Sequence, residues 1–287
     1  MKTFFLTVAL CTLTICSSQT NADQKTTEIN EKTNSVTKDA SYYNELGISK
    51  EKLKRYQEAI DNYTLAIQLN PKEDAYFINR GVSKAKLNKY QDAISDFNTA
   101  IGLNPDSGSA YNNIGLAKRE LGSYQDAILN FDKAIGLNAK EASYFYNRAN
   151  VKIDMNNVQA AILDYNIAIQ LDSNDTFSYN NRGLAKAKLK NYQGAIADYT
   201  KSIQIDPKDA TAYVNRGNAK TDVKNYEGAI LDFNKAITID KNLADAYFNR
   251  GAAKLQAGKK NEGCSDFKKA GDLGIKDAYE ILKKYCK

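Results

Sequence analysis

The sequence predicts an all-α solenoid of stacked helix pairs, and three observations carry that prediction. First, the chain repeats at the interval from Gly47 to Gly81, 34 residues, which aligns Gly47, Gly81, Gly115, Gly183, Gly217 and Gly251, with Ala149 in the fourth slot. Twelve residues beyond each marker stand Ala59, Ala93, Ala127, Ala161, Ala195 and Ala229, with Gly263 closing the series. Second, apolar residues recur between the markers at helical spacing, as Ala195, Ile196, Tyr199, Ile203 and Ile205 do. Third, the three prolines, Pro71, Pro105 and Pro207, all fall at one place in the repeat, just past a second helix, where a residue that cannot continue a helix belongs. A unit of this length cannot bury its own apolar face, so repetition from about residue 40 to residue 273 makes one elongated domain. Length alone would have suggested two globular ones.

Composition narrows function. The 287 residues carry 40 Lys plus Arg against 34 Asp plus Glu, a formal net charge of +6, and removing a leader whose only charge is Lys2 leaves about +5. The charges are mixed rather than gathered into a basic face, which argues against nucleic acid as a partner. The chain has no histidine, and so lacks the commonest general base and the commonest zinc ligand. No carboxylate is set apart from the lattice of the repeat. The expectation is no enzyme, no metal and no cofactor.

Taken in order, the chain begins with Lys2 and an apolar run from Phe4 to Ile15, then Ser17, Ser18, Thr20 and Ala22. Such a stretch reads as a secretory signal peptide, residues 1–22, and is too short to cross a bilayer as a retained helix. Cys16 raises a competing reading, lipidation at a cysteine after cleavage, although Ile15 is larger than the residue that normally precedes such a site. The expected location is therefore exported, periplasmic or secreted, with a lipid-anchored envelope protein as the alternative and membrane contact only if Cys16 is lipidated. Residues 23–39, rich in threonine, asparagine, lysine and glutamate, are expected to be a disordered linker.

Seven repeats follow, at 40–73, 74–107, 108–141, 142–175, 176–209, 210–243 and 244–273, each with two helical patterns that must lie antiparallel. Breaks such as Leu121, Gly122, Ser123 and Lys190, Asn191 supply residues that tolerate a left-handed helix end. In the fifth unit the fixed positions are Tyr179, Gly183, Tyr192, Ala195, Tyr199, Ser202 in an alanine slot, and Pro207. This pattern resembles the tetratricopeptide repeat over residues 40–273. The resemblance implies a right-handed superhelical solenoid of helix-turn-helix repeats, with a concave groove lined mainly by the first helix of each pair.

Two positions depart from that family's commonest pattern. Arg80, Arg148, Arg182, Arg216 and Arg250 precede the glycine position, where repeats 1 and 3 keep Leu46 and Ile114. Fifteen residues after that position stand Asp96, Asp164, Asp198, Asp232 and Asp266 in the arginine repeats, but Asn62 and Asn130 in the other two. The two positions change together, which predicts structural ion pairs between the helices of one repeat. A lysine three residues after the glycine position, Lys50, Lys84, Lys118, Lys152, Lys186, Lys220 and Lys254, persists where the aspartate is missing. It is expected to lay its stem over apolar surface with its head in solvent or on a helix-end carbonyl, a functional basic stripe being the alternative.

Residues 274–287 read as a C-terminal capping helix with Ala278, Ile281, Leu282 and Tyr285 on its apolar face. Antiparallel packing would bring Cys264 near Cys286, and export would permit a disulfide; a buried free cysteine and an exposed one stay open.

The candidate ligand surface is a row two residues before the glycine position: Asn79, Asn113, Asn147, Asn181, Asn215 and Asn249. In related superhelices an asparagine here holds the main chain of an extended peptide, and an amide both donates and accepts. Flanking positions vary between repeats and include Asn112, Tyr146, Asn150, Asn180, Asn218 and Phe248. A mixture of apolar side chains and amides suits an extended polypeptide. The expectation is a protein-interaction scaffold, with a structural or assembly role through the outer surface as the alternative.

Overall fold

The computed structural model describes residues 38–286. The expected signal peptide, Cys16 and most of the expected linker lie outside them. Fifteen α-helices and no strand occur among the described residues. Repeat 1 comprises α1 (Ala40–Lys52) and α2 (Tyr56–Leu69), repeat 2 α3 (Asp74–Lys86) and α4 (Tyr90–Leu103), and repeat 3 α5 (Gly108–Glu120) and α6 (Tyr124–Leu137). Repeat 4 comprises α7 (Ala142–Asp154) and α8 (Val158–Leu171), repeat 5 α9 (Thr176–Lys188) and α10 (Tyr192–Ile205), and repeat 6 α11 (Ala210–Asp222) and α12 (Tyr226–Ile239). Repeat 7 pairs α13 (Ala244–Gln256) with α14 (Lys260–Asp272), and α15 (Asp277–Tyr285) covers its open side. The architecture is a superhelical solenoid of helix-turn-helix repeats. First helices of successive repeats approach one another directly in most neighbouring pairs, so the first helices form the inner wall.

Local chemistry closes each unit. In every repeat the amide eight residues after the glycine position donates to the carbonyl of the repeated lysine, as Asn191 does to Lys186 at 2.9 Å. That bond requires a left-handed residue before it, which is Gly122 or Gly258 in two turns and Lys54, Asn88, Asn156, Lys190 or Lys224 in the others. At the far end of the second helix, Asn70, Asn104, Asn138, Asp172, Asp206 and Asp240 each accept from the amide two residues on. The residue skipped by this turn donates nothing, so Pro71, Pro105 and Pro207 fit there without losing a hydrogen bond. Asp39, assigned to the linker from sequence, accepts from the Tyr42 amide at 2.9 Å and begins the first repeat.

Packing repeats with the same regularity. Tyr63, Phe97, Phe131, Tyr165, Tyr199, Phe233 and Phe267 on the second helices are fully buried between helices. The glycine position admits them: a Cβ on Gly183 would stand 2.6 Å from the Tyr199 ring, closer than side chains approach. Repeat 4 has Ala149 there, so the Tyr165 ring must stand off, and its hydroxyl donates to Asn150 at 2.6 Å. In the cap, Ala278, Ile281 and Leu282 pack on Phe267 and Ala270. Tyr285, expected on that face, is 41% exposed because it lies in the last turn beyond the repeat-7 surface. The aromatic contact comes from Tyr279 instead, over Gly271. A disulfide joins Cys264 to Cys286 with Cα atoms 5.7 Å apart, tying the start of α14 to the end of α15.

Candidate functional site

Three kinds of side chain compete for function in this stack: the arginine and aspartate pairs, the lysine row and the asparagine row. Their geometry separates them.

Each arginine is a clamp. Arg182 Nε and Nη2 donate to the two carboxylate oxygens of Asp198 at 3.0 and 2.6 Å, a planar two-point contact. The same geometry joins Arg80 to Asp96, Arg148 to Asp164, Arg216 to Asp232 and Arg250 to Asp266. The remaining Nη1 reaches back to the second helix of the preceding repeat, meeting Thr64, Asp132, Asn166, Thr200 and Asn234 in turn. Each guanidinium also lies over an aromatic ring of its own helix, 5.3 to 5.6 Å from the centroids of Phe77, Phe145, Tyr179, Tyr213 and Tyr247. The acceptor in the preceding repeat was not legible from the pairwise correlation, because threonine, aspartate and asparagine all serve.

The lysine row differs from the sequence expectation. Lys84, Lys152, Lys186, Lys220 and Lys254 do not extend to solvent; each sits within 2.9 Å of the second oxygen of its repeat's aspartate. In repeats 1 and 3, which lack that aspartate, Lys50 and Lys118 turn to Glu58 and Asp126 in the first turn of the second helix. The lysine persists because it changes partner. Neither cationic row is open to an acidic ligand.

The asparagine row is also partly engaged. Asn79 donates to Asn44 at 3.0 Å, Asn147 to Asn112 at 2.9 Å and Asn215 to Asn180 at 3.1 Å, while Asn181 meets both the Tyr146 hydroxyl and Asn150. These bonds link first helices of neighbouring repeats. Asn112 is buried, so the expectation of a rank of amides all facing a ligand is narrowed. Asn113 and Asn249 face Ile78 and Val214 at the corresponding places and have no hydrogen-bond partner among the described residues. Asn218 is exposed, and Phe248 packs edge-on against Phe267, 5.4 Å between centroids.

Two hollows open on the inner wall at equivalent places two repeats apart. One, of ≈ 410 Å³, lies between α3 and α5, with Val82, Ala85, Leu116 and Ala117 around the Asn113 amide, Phe97 as floor, and Lys86 and Glu120 at its rim. The other, of ≈ 170 Å³, lies between α7 and α9, with Ile153, Leu184, Asn150 and Asn181 over Tyr165 and a salt bridge from Arg119 to Asp154 beside them. Phe177, Asn181, Leu184 and Lys188 recur at helical spacing on one face of α9, and Phe177 and Leu184 are 69% and 46% exposed. Phe177 was not singled out by sequence; its signal is a phenylalanine where the other repeats carry Ser41, Ala75, Ser109, Ser143, Thr211 and Asp245. Among the described residues no helix is long and apolar enough to cross a membrane, and no group of three or more cysteine and carboxylate side chains is placed to hold a metal.

Comparison with known proteins agrees with this anatomy. Tetratricopeptide-repeat models match residues 40–73, 78–142 and 177–209, and a TPR-repeat model matches 217–258. The longest unmatched interior stretch, 143–176, holds nearly all of the repeat with Ala149. None of the curated proteins compared matches the chain. Among solved structures, a tetratricopeptide repeat protein from Parabacteroides merdae is 20% identical over 86% of this chain and 99% of its own, with a TM-score of 0.59. The C-terminal part of a TPR repeat-containing protein from Cytophaga hutchinsonii is 18% identical over 83% and 98%, with a TM-score of 0.65. YrrB, described as a TPR protein with an unusual peptide-binding site, is 24% identical over 69% and 97%, with a TM-score of 0.53. Proteins with this repeat are generally protein-interaction scaffolds. The repeat models together span more than half of the sequence, and the described residues form their helix pairs from Ala40 to Asp272: the chain belongs to the tetratricopeptide-repeat family.

Proposed function

We propose that this protein is a non-catalytic scaffold that binds an extended peptide or protein segment along its inner wall, outside the cytoplasm. The observation that carries the reading is the inner face of α9, where Phe177 and Leu184 stand exposed beside a hollow edged with amides. Apolar side chains set among amides fit a polypeptide, whose side chains seek the hollows while its main chain meets the amides. Asn113, with its hollow between α3 and α5, offers a second subsite of the same kind. The Cys264–Cys286 disulfide suits an oxidising compartment, in keeping with the leader-like residues 1–22.

Selection of peptides from a random displayed library tests the reading. Peptides enriched on the native chain should lose binding to a Phe177→Ser, Leu184→Ser variant whose thermal midpoint is unchanged. No enrichment, or enrichment indifferent to that variant, sinks it. A second reading has one observation in its favour: Leu129, Leu163 and Leu231 stand 58 to 68% exposed at one position of the second helices, on the outer wall. If the protein is held in an assembly through that wall, Leu129→Ser with Leu163→Ser should release it while the α9 variant should not.

A further inference from the structure

We propose that the joint between repeats 2 and 3 is a hinge, about which the first two repeats move as a unit against the last five. Two kinds of directed bond tie neighbouring repeats: the arginine reaching back to the preceding second helix, and the asparagine reaching back to the preceding first helix. Four of the six junctions have both. Repeats 6 and 7 keep the arginine bond, from Arg250 to Asn234, and add Lys259 to Glu227. Repeats 2 and 3 have neither. Ile114 stands where the arginine would be, opposite Asn98, and Asn113 faces Ile78 rather than an acceptor. Apart from the turn that joins α4 to α5, no hydrogen bond or salt bridge between described residues crosses this junction.

Apolar packing alone holds it. Ala93, Ile94, Phe97, Ile114 and Ala117 form one part of its core, with Ile78, Val82, Ala85, Tyr90 and Ile101 against them, and Phe77, Ala100 and Ala110 form another. Such contacts attract without fixing direction, whereas a two-point guanidinium contact fixes both distance and angle. Close packing can itself resist rotation, but here it is flanked by open space. The ≈ 410 Å³ hollow lies on one side of α5, lined by Asn113 and Leu116. A hollow of ≈ 370 Å³ lies on another, between α4 and the α5–α6 pair, lined by Gln91, Asn98, Ile114, Lys118, Asp126 and Asn130. Those residues mark the volume that the clamp fills in other repeats. The joint therefore has a greasy axis with open space on two sides, and bending about it changes the width of the inner wall at Asn113.

The experiment compares two distances in the full chain with its disulfide intact, using single-molecule energy transfer between dyes on non-cysteine handles. One pair, at Asp61 and Leu129, spans the joint; the reference pair, at Leu163 and Leu231, occupies equivalent positions on α8 and α12, also two repeats apart, and spans only junctions with both bonds. The first pair should give the wider distance distribution. Ile78→Asn, Ile114→Arg and Asn130→Asp together rebuild the asparagine bond and the clamp, with Asn98 as acceptor, and should narrow it to the reference width. Equal widths in the native chain overturn the proposal, and so does a folded triple variant that leaves the first width unchanged. If the triple variant does not fold, the native comparison decides alone.

Discussion

Loss of one aspartate from a clamp should cost far more than loss of the whole set, and repeat 2 is the place to show it. Asp96 is almost fully buried, its side chain 6% exposed, and holds Arg80 by two bonds and Lys84 by a third at 2.7 Å. Asp96→Asn leaves two cations short of a counter-charge. Breaking a buried pair costs about 3–5 kcal/mol, and because Arg80 and Lys84 retain 18 and 19% exposure and Arg80 keeps Thr64 and the Phe77 face, the lower end, about 3 kcal/mol, is expected. Adding Arg80→Ile recreates the combination that repeat 3 carries naturally as Ile114 and Asn130. Lys84 can then turn to Asp92, the counterpart of the Asp126 that receives Lys118. The double variant should recover most of the loss, leaving a deficit of about 1 kcal/mol. The same pair of changes at Arg182 and Asp198 should recover less, since Gly194 offers Lys186 no carboxylate. Urea unfolding followed by circular dichroism reads the native protein and the six variants, the two single changes and the double at each site. Single-variant costs that simply add, within about 0.5 kcal/mol, would refute the clamp as a coupled unit.

Three further outcomes follow from the packing. Burial holds the hydroxyls of Tyr63, Tyr165 and Tyr199 well above the ordinary tyrosine value of 10.0. Their folded values exceed the unfolded ones, so this stability is complete below pH 10 and declines as pH rises toward the folded values. Tyr199→Phe, which copies Phe97 and Phe233, should flatten the decline measured by urea unfolding at rising pH; an unchanged slope would remove Tyr199 from the account. Gly183→Ala should cost about 1–3 kcal/mol by pressing on the Tyr199 ring, and less when Leu184→Asn supplies the acceptor that Asn150 gives Tyr165. Equal costs with and without that acceptor would contradict the coupling. Reduction of Cys264–Cys286, or Cys264→Ser, should destabilise the C-terminal end by about 3 kcal/mol, seen as faster amide exchange in α14 and α15 with repeats 1–5 unaffected.

How much of this was legible depends on how far each interaction reaches along the chain. The helix pairs were readable because their signals are local and repeated: the Gly183 series, the Ala195 series and the placement of Pro71, Pro105 and Pro207 need no knowledge of neighbours. The arginine and aspartate partnership was readable because two positions of one repeat change together. Contacts between repeats were not, since their acceptors vary among Thr64, Asp132 and Asn166 and leave no covariation to see. The lysine row misled for a related reason: a side chain that exchanges Asp198 for Glu58 or Asp126 looks independent of each. The asparagine row resembled a ligand surface because its partners are polar too, and only the folded arrangement distinguishes an amide bonded to Asn112 or Asn180 from one such as Asn113.

Each arginine lies sixteen residues from its acceptor in either direction, Arg148 from Asp132 behind and from Asp164 ahead. Repeats joined this way are interchangeable in length of chain as well as in shape. Removing one whole unit brings the next arginine into register with the second helix before the gap. Deleting residues 108–141, the third repeat, would set Arg148 opposite Asn98, an acceptor of the type that Arg182 and Arg250 already use. The shortened protein would keep all five clamps and lose the one junction that has none, at the cost of the bond from Asn147 to Asn112, a route by which such a chain can change its span while its clamps stay in register.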